Sequence, residues 1–278
     1  MNRVTTKQKI YGLLIKIISL FAVFIILFPI VWLARTSVID LVRLYENPPP
    51  LLFIPTLNSY FKAFATQRLM ERTFNSLIIS FSATFFSVLL GAMAAYGISR
   101  FRMPFSRNMP FIFLFLRMIP SISVLLPLFL MFSETGLIDT HIGLVCTYAT
   151  GAIPLVIWMM WGFFRDLSKE IEESAYIDGS GYFNTFIKIV LPITTPAVAS
   201  VAILSFTGAW NEFMMATILT RSRTMTLPPA VYSQIHAADL AWDVMSASST
   251  LLAIPLVILC VLAQKYFVKG LTVGAVKG

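Results

Sequence analysis

The sequence predicts an all-α integral membrane protein with six transmembrane helices. Of its 278 residues, 58% are hydrophobic and 12% are charged, and the mean hydropathy is +0.81, values that place it outside the soluble globular class. The apolar residues fall in runs close to the roughly 20 residues that a helix needs to cross a bilayer. These runs do not alternate in polarity as barrel strands do, and a helix satisfies its own backbone hydrogen bonds in lipid.

Six apolar runs give the expected spans. Five of them carry no charge: Ile17–Ala34, Thr73–Ser99, Ile142–Phe164, Ile189–Asn211 and Val244–Gln264. The other run, Asn108–Ser133, is interrupted by Arg117. We place them approximately at residues 13–33, 74–97, 109–132, 142–164, 195–218 and 245–267, and we treat residues 1–278 as a single domain. A cleaved signal peptide is the alternative for the first run, because basic residues precede it. No clear cleavage site follows at Ala34 and the run is long, so we expect a retained helix.

The lysine and arginine residues predict the orientation of the spans. With the N-terminus in the cytoplasm, twelve of these residues fall in cytoplasmic segments and seven in external ones. Five of the seven lie in the long first external loop, where the rule is weakest. Both termini are therefore expected in the cytoplasm, and the net charge of +8 is mostly a topology signal. No basic soluble face suited to nucleic acid is visible.

The chain carries no pattern typical of an enzyme or a metal site. Cys146 and Cys260 fall within spans without metal-ligand spacing, and His141 and His236 are isolated. There is no glycine-rich phosphate loop of the Walker type, so the chain has no visible means of binding ATP. No nucleophile–base pair stands out either. We expect no catalytic, cofactor-binding or metal-binding residue.

A polar segment of about thirty residues separates the fourth and fifth spans. Ser168 is the expected N-cap of a short helix, and three glutamates near its start suit the helix dipole. These are Glu170, Glu172 and Glu173. Gly179 and Gly181 should then bend the chain sharply, because glycine turns at no steric cost. A second short helix is expected to begin near Tyr182 and to stop at Pro192.

Two short helices joined by a glycine bend predict a compact knob that docks on another protein. The alternative is an amphipathic connector that lies on the lipid surface. Three clustered glutamates argue against that alternative, since an anionic leaflet would repel them.

The same segment resembles the "EAA" loop of bacterial ATP-binding-cassette importer permeases. The pattern runs from Glu173 through Gly179 to Pro192. Further resemblances lie at Gly91–Tyr96, Trp210–Phe213, Thr226–Pro228 and Gly270–Gly278. Trp210–Phe213 looks like a signature of the carbohydrate branch, and the last segment looks like that branch's C-terminal tail. The resemblance covers the chain from about residue 75 to the end and is similar to the six-span maltose-transporter-type permease. Ser168 and Ser174 stand where the family usually has Pro and Ala, and these small residues keep the shape of the loop.

The resemblance implies that the loop is a cytoplasmic coupling helix between spans 4 and 5 that docks on a separate ATPase. The residues expected to contact the ATPase or shape that contact are Glu172, Glu173, Ala175, Asp178, Gly179, Ile189 and Pro192. ATP and Mg would bind to two copies of the ATPase and not to this chain, which would be non-catalytic. The other implied partners are a second permease in a heterodimer and an extracytoplasmic solute-binding protein, and the implied location is the bacterial inner membrane.

Arg117, Asn211 and Glu212 are candidates for a solute path, because polar residues at membrane depth face a bundle interior or a water-filled path. A bond to backbone carbonyls is an equally good account of Arg117, and helix-packing hydrogen bonds are the commoner role for the other two. The aromatic residues that could stack on a sugar ring are Tyr148, Trp158 and Trp161, although lipid-facing positions are more usual.

Other transport functions remain as alternatives. A secondary transporter would carry coupling carboxylates within its spans, and only Glu212 qualifies. A polyamine or amino-acid permease would share the loop, whereas Trp210–Phe213 and the C-terminal tail favour carbohydrate.

Overall fold

The computed structural model describes residues 6–101, 105–106, 108–236 and 241–275, and these residues contain helices and no β-strand. In chain order the α-helices are α1 (Thr6–Thr36), α2 (Leu41–Leu44), α3 (Asn58–Gln67), α4 (Leu69–Arg100), α5 (Met109–Leu116), α6 (Ser121–Glu134), α7 (His141–Asp166), α8 (Glu170–Ile177), α9 (Tyr182–Thr185), α10 (Leu191–Ile193), α11 (Thr195–Trp210), α12 (Met214–Leu219), α13 (Leu227–Ser233) and α14 (Trp242–Ala275). A π-helical turn, Phe186–Val190, lies between α9 and α10, and a 3₁₀ turn, Gln234–His236, follows α13. Parts of the basic turn after the second expected span, at 102–104 and 107, and the end of the tail motif, 276–278, lie outside the described residues.

Four helices are long and apolar enough to cross a membrane: Tyr11–Thr36 within α1, the whole of α4, the whole of α7, and Trp242–Leu262 within α14. Two bent pairs pass the same test when taken together. Helices α5 and α6 meet at 79°, and Tyr182–Ile193 meets α11 at 82°. The described chain therefore has four such helices, or six if each bent pair forms one span.

A proline lies at the first bend. The helix over the expected span 109–132 is interrupted, because α5 ends at Leu116 and α6 begins only at Ser121. Pro120 precedes α6 with an extended ψ of 130°. Proline disfavours helical angles at the residue before it, here Ile119, and the chain leaves the helix over residues 117–119.

The second short helix ends at Ile193, one residue beyond the predicted stop at Pro192. Helical structure continues through Pro192 to Ile193, and the bend follows at Thr194. Before the proline, the amide of Leu191 donates to the carbonyl of Phe186, five residues back, in a π-helical turn. Pro192 has no N–H to donate, and the helix widens into this π-helical turn directly before it.

The chain divides into two compact units. One comprises the chain up to Leu69 together with Val231–Ile254, and the other comprises Met70–Ala230 together with the chain from Pro255. In the first unit, the buried carboxylate of Asp243 accepts from Ser59 at 3.2 Å and pairs with Lys62 at 3.6 Å. Arg35 donates to the carbonyl of Pro50. These bonds tie α14 to α3, and α1 to the proline-rich loop that follows it.

The second unit contains two apolar clusters. The first gathers α4, α7, α11 and the π-helical turn around Val156, Met160 and Phe164. The second gathers α4, α6, α7 and α12 around Leu144 and Ala216. Helices α4 and α7 contribute to both clusters, so they form the frame on which α8 is held.

Candidate functional site

Helix α8 forms at the polar segment where the sequence predicts a short helix. It begins at Glu170, and the hydroxyl of Ser168 accepts a hydrogen bond from the Glu170 amide at 3.3 Å. Glu170, Glu172 and Glu173 all lie in its first turn, where the positive end of the helix dipole stabilises carboxylates.

Gly179 ends α8 in a Schellman motif. Its φ is +83°, its amide donates to Tyr176 at 3.0 Å, and the amide of Ser180 donates to Ala175 at 2.9 Å. The left-handed conformation favours glycine because it has no Cβ. Gly181 follows in an extended conformation and precedes α9. The predicted glycine bend is therefore present, and Gly179 is the residue that needs to be glycine.

Glu172 is buried, with 2% of its surface exposed. Its Oε1 accepts from Arg100 Nε at 2.7 Å and lies 2.6 Å from a second guanidinium nitrogen of the same arginine. Its Oε2 accepts from the hydroxyl of Tyr96 at 2.8 Å. Arg100 and Tyr96 belong to α4. Glu172 thus contacts its own chain and does not lie on the exposed face where a partner would bind.

Tyr176 completes this polar group. Its hydroxyl lies 3.2 Å from that of Tyr96 and 3.5 Å from Glu172 Oε2. Burial raises the pKa of Tyr176 above its ordinary value, and the nearby carboxylate of Glu172 acts in the same direction. The phenol therefore stays neutral at physiological pH and remains able to donate a hydrogen bond.

The opposite face of the loop is exposed and combines acidic with apolar side chains. Glu173 and Asp178 are exposed carboxylates. Ile177 is 86% exposed and Phe183 is 63% exposed. Large apolar side chains on an otherwise polar knob are typical of a protein-binding surface. Of the other predicted loop residues, Ala175 is buried, Ile189 half-buried and Pro192 exposed.

Arg117 lies at the break between α5 and α6, as the last residue capping α5. Its side chain is exposed, and among the described residues no hydrogen bond or ion pair holds it. The alternative of a structural bond to backbone carbonyls therefore finds no support within the described chain.

Asn211 and Glu212 occupy a second break, between α11 and α12. The side-chain amide of Asn211 donates to the Thr207 carbonyl at 3.0 Å. Oε1 of Glu212 accepts from the Met215 amide at 2.8 Å and so caps the start of α12. Glu212 thus satisfies an amide at the start of α12, whereas the Thr207 carbonyl also accepts from the backbone amide of Asn211 at 3.2 Å. The expected span at 195–218 is thus two helices, and Arg117 and these residues lie at different breaks.

The three aromatic residues proposed for sugar stacking lie in different environments. Tyr148 is buried in the second apolar cluster. Trp161 is half-buried, with the guanidinium of Arg165 at 4.9 Å from its ring centroid. Trp158 is 37% exposed. They do not form a common stacking platform.

Sequence reasoning missed Arg100 and Tyr96 as partners of Glu172. Arg100 and Glu172 lie 72 positions apart, so no local sequence pattern pairs them. Across the described residues, no group of three His, Cys, Asp or Glu side chains is arranged to hold a metal ion.

Comparison with known proteins identifies relatives over nearly the whole chain. Residues 87–273 match the family described as "Binding-protein-dependent transport system inner membrane component". The trehalose/maltose transport system permease protein MalG of Thermococcus litoralis is 34% identical over 91% of this chain and 92% of its own length. The galactooligosaccharides transport system permease protein GanQ of Bacillus subtilis is 32% identical over 93% of each chain. The trehalose transport system permease protein SugB of Mycobacterium tuberculosis is 34% identical over 80% of this chain and 82% of its own.

Solved structures share the fold. A chain of a bacterial ABC transporter involved in the import of the acidic polysaccharide alginate superposes with a TM-score of 0.77 at 21% identity, over 96% of this chain and 100% of that one. The same kind of transporter, in complex with an alginate pentasaccharide-bound periplasmic protein, gives a TM-score of 0.65 at 15% identity, over 92% of each chain. At these identities the likeness concerns the fold alone. The family match over two thirds of the chain and the relatives above 30% identity establish that this chain belongs to the binding-protein-dependent transport system inner membrane components.

Proposed function

We propose that this chain is the permease subunit of an ATP-driven, binding-protein-dependent importer for a sugar or sugar-like solute. The observation that carries the proposal is the exposed face of the loop from α8 to α9, which offers a surface for an ATPase on a chain that carries no nucleotide-binding motif of its own. Relatives whose names specify trehalose, maltose and galactooligosaccharides support a carbohydrate solute.

The proposed topology has six spans, with both termini and the α8–α9 loop in the cytoplasm. Each bent pair counts as one span, and the excess of basic residues in the cytoplasmic segments supports the orientation. The loop then lies between spans 4 and 5 and acts as the coupling helix.

The proposed docking surface consists of the exposed loop residues. Glu173 and Asp178 supply charge and Gly179 fixes the bend. Ala175, Ile189 and Pro192 support the shape of the loop, and Glu172 holds it from inside. Two ATPase copies would bind ATP and Mg, a second permease would complete the pathway, and a binding protein would deliver the solute. ATP and solute would bind at separate sites, and each would shift the equilibrium between two conformations of the assembly.

The proposed solute path includes the two helix breaks. Interrupted helices are where transporters commonly place ligand groups, because backbone groups and polar side chains become available at membrane depth. Arg117 supports this assignment by its exposure at the first break. Asn211 and Glu212 line the second break, where their side chains already bond the backbone.

Charge reversal at the docking surface tests the proposal. Glu173→Lys should abolish solute uptake and weaken co-purification of the ATPase, because like charges that meet across an interface weaken binding by several kcal/mol. Gly179→Val should do the same by forcing a β-branched residue to a φ of +83°, at a cost of about 1–3 kcal/mol. Both variants should still reach the membrane, since neither alters an apolar span.

Two matched variants control for the chemical changes. Glu46→Lys reverses an exposed carboxylate far along the chain, and Gly136→Val imposes the same substitution at another glycine of positive φ, +70°. Both should keep ATPase co-purification at the wild-type level. Normal uptake and normal ATPase affinity in Glu173→Lys and Gly179→Val would overturn the proposed function.

A further inference from the structure

Arg100 joins three segments of the second unit at the end of α4. Its guanidinium binds Glu172 of α8, as described above, and reaches the carbonyl of Leu167, which follows α7, at 3.5 Å. It also lies over the ring of Tyr96, 5.9 Å from the centroid. The side chain of Arg100 is 7% exposed and that of Glu172 is 3% exposed, so the pair is sealed from water.

Burial makes this ion pair different from its neighbours. Arg165 and Asp166 also form an ion pair nearby, but at 3.6 Å and with side chains that are 62% and 67% exposed. Exposed pairs contribute little, whereas a buried pair that loses one partner leaves an uncompensated charge. A buried pair adds little net stability over apolar residues, so its value lies in allowing one arrangement of α8 on α4.

Tyr96 of α4 also contacts the segments on either side of α8. Its ring centroid lies 4.8 Å from that of Phe186 in the π-helical turn and 5.8 Å from that of Phe164 in α7. Its hydroxyl donates to Glu172. The ring is therefore wedged between the helix that precedes α8 and the segment that follows it, and α8 has few ways to shift on α4 without breaking several contacts.

We infer that the Arg100–Glu172 pair is a rigid joint that positions α8 on the end of α4, so that displacement of the coupling loop moves α4 with it. The inference rests on the proposed function of the loop. Arg100 and Glu172 are positioning residues: they touch neither the ATPase nor the solute, and they act by keeping the docking surface and α4 in fixed relation. Without the pair, the loop would still dock, and its movement would no longer reach the spans.

A distance measurement in the assembled complex tests the rigidity directly. Cys146 and Cys260, both free and exposed, are replaced by Ser, and spin labels are attached at Glu170→Cys on α8 and Met93→Cys on α4, positions that are exposed. With the pair intact, the distance between the labels should be the same in the nucleotide-free and ATP-bound complex. Glu172→Gln should broaden the distribution or make it depend on nucleotide. A nucleotide-dependent distance with the pair intact would overturn the joint.

Transport coupling gives the functional readout. In reconstituted complexes, Glu172→Gln and Arg100→Gln should retain ATPase co-purification and lose roughly tenfold or more in solute molecules moved per ATP hydrolysed. The double variant Arg100→Gln/Glu172→Gln leaves no buried charge unpaired and should recover part of the loss. Asp166→Asn, in the exposed pair, should leave the ratio unchanged. An unchanged ratio in both single variants would refute the joint.

The outcomes separate this inference from the proposed function. If Glu172→Gln releases the ATPase as Glu173→Lys does, Glu172 shapes the docking surface and the joint is refuted while the proposed function stands. If Glu173→Lys leaves ATPase binding and uptake intact, the proposed function fails regardless of the Glu172 result. Should the single variants not reach the membrane, the distance measurement with the pair intact and the neutral double variant still decide the matter.

Discussion

At the scale of single residues, Asp139 shows how one carboxylate orders a loop. It adopts a left-handed conformation with φ of 55°. Its Oδ1 accepts from the amides of Arg221 at 2.9 Å and Thr224 at 3.0 Å and from the Thr224 hydroxyl at 2.8 Å, while Oδ2 accepts from the Arg223 amide at 3.2 Å. The turn before α7 thus fixes the loop between α12 and α13. Arg221 and Arg223 remain exposed on a loop that is held firmly in place.

The hydrogen bonds to the Asp139 carboxylate predict that the stability of the protein depends on pH. Burial raises the pKa of Asp139, but the hydrogen bonds from residues 221, 224 and 223 outweigh burial and hold it below the ordinary value. A depressed folded-state pKa stabilises the fold above the unfolded-state pKa of about 3.9, and this stabilisation is lost as pH falls through the folded-state value. Asp139→Asn should cost about 1–3 kcal/mol at pH 7, because three amides and a hydroxyl lose a charged acceptor.

Thermal unfolding of the purified protein at several pH values measures this effect. The difference in unfolding temperature between wild type and Asp139→Asn should be the same at pH 7 and pH 5 and should shrink only below about pH 4. Trypsin should also cleave after Arg221 or Arg223 faster in the variant. Glu134→Gln, at an exposed carboxylate close in sequence, is the control and should change neither property. A constant gap down to pH 3 would contradict the role of the ionised carboxylate.

The sequence predicts the bend at Gly179 but not the burial of Glu172, for a physical reason. A glycine after a short helix signals a left-handed cap, which is local chemistry that the sequence displays. Glu172 and Glu173 are adjacent and chemically identical, and only the position of α4 decides that one is buried and the other exposed. The role of Asp139 is not predictable from the sequence either, because its hydrogen-bond partners lie more than 80 residues away.

At the scale of helices, α4 and α7 are held in close contact by a glycine. A Cβ placed on Gly91 would lie 2.6 Å from Cγ1 and 2.7 Å from Cβ of Val156. Real Cβ atoms do not come that close, and valine cannot turn its own Cβ away. Gly91 therefore permits the separation at which the first apolar cluster packs.

Gly91→Ala should force α4 and α7 apart and destabilise the protein by about 1–3 kcal/mol, as overpacking does in other cores. The measurement is the thermal unfolding temperature in detergent. Gly97→Ala, in the same helix but with nothing within 4 Å of the added methyl group, should be neutral or slightly stabilising. Equal effects of the two substitutions would contradict the packing argument.

Helix prediction worked where hydropathy alone decides and failed where a backbone break matters. The expected spans at 74–97 and 142–164 lie within α4 and α7. The third and fifth expected spans are interrupted, the third by Pro120 and the fifth at residues 211–213. Proline alone does not identify the break at Pro120 in advance, because Pro29, Pro127, Pro154 and Pro255 lie inside continuous helices. No proline or glycine lies at 211–213, and the side-chain bonds of Asn211 and Glu212 that accompany that break depend on the folded chain.

At the scale of the whole molecule, the chain exposes far more apolar surface than a water-soluble monomer does. None of the most apolar stretch of α1 is buried within the described chain, and only 22% of the corresponding stretch of α14 is. Contiguous apolar surface of this extent requires lipid or partner subunits. Together with the family match, this surface indicates that the chain is an inner membrane component.

Expression of the chain without partners tests the proposed function. Alone in the membrane it should hydrolyse no ATP and move no solute, since no nucleotide-binding motif is present. Co-expressed with its ATPase and second permease, it should co-purify with both. ATP turnover by the chain in rigorously ATPase-free preparations would count against the assignment.

The buried partnership of Arg100 has a consequence for biogenesis. Its acceptor is 72 residues further along the chain. At about 5–20 residues synthesised per second, Arg100 leaves the ribosome roughly 4–14 s before Glu172 does. During that interval it is an unpaired cation at the end of a newly made apolar helix, the kind of charge that retains a helix end on the cytoplasmic side. On the proposed topology, Arg100 would help to keep this end of α4 on the cytoplasmic side, and it would take up its buried partner only after the next two spans had been made.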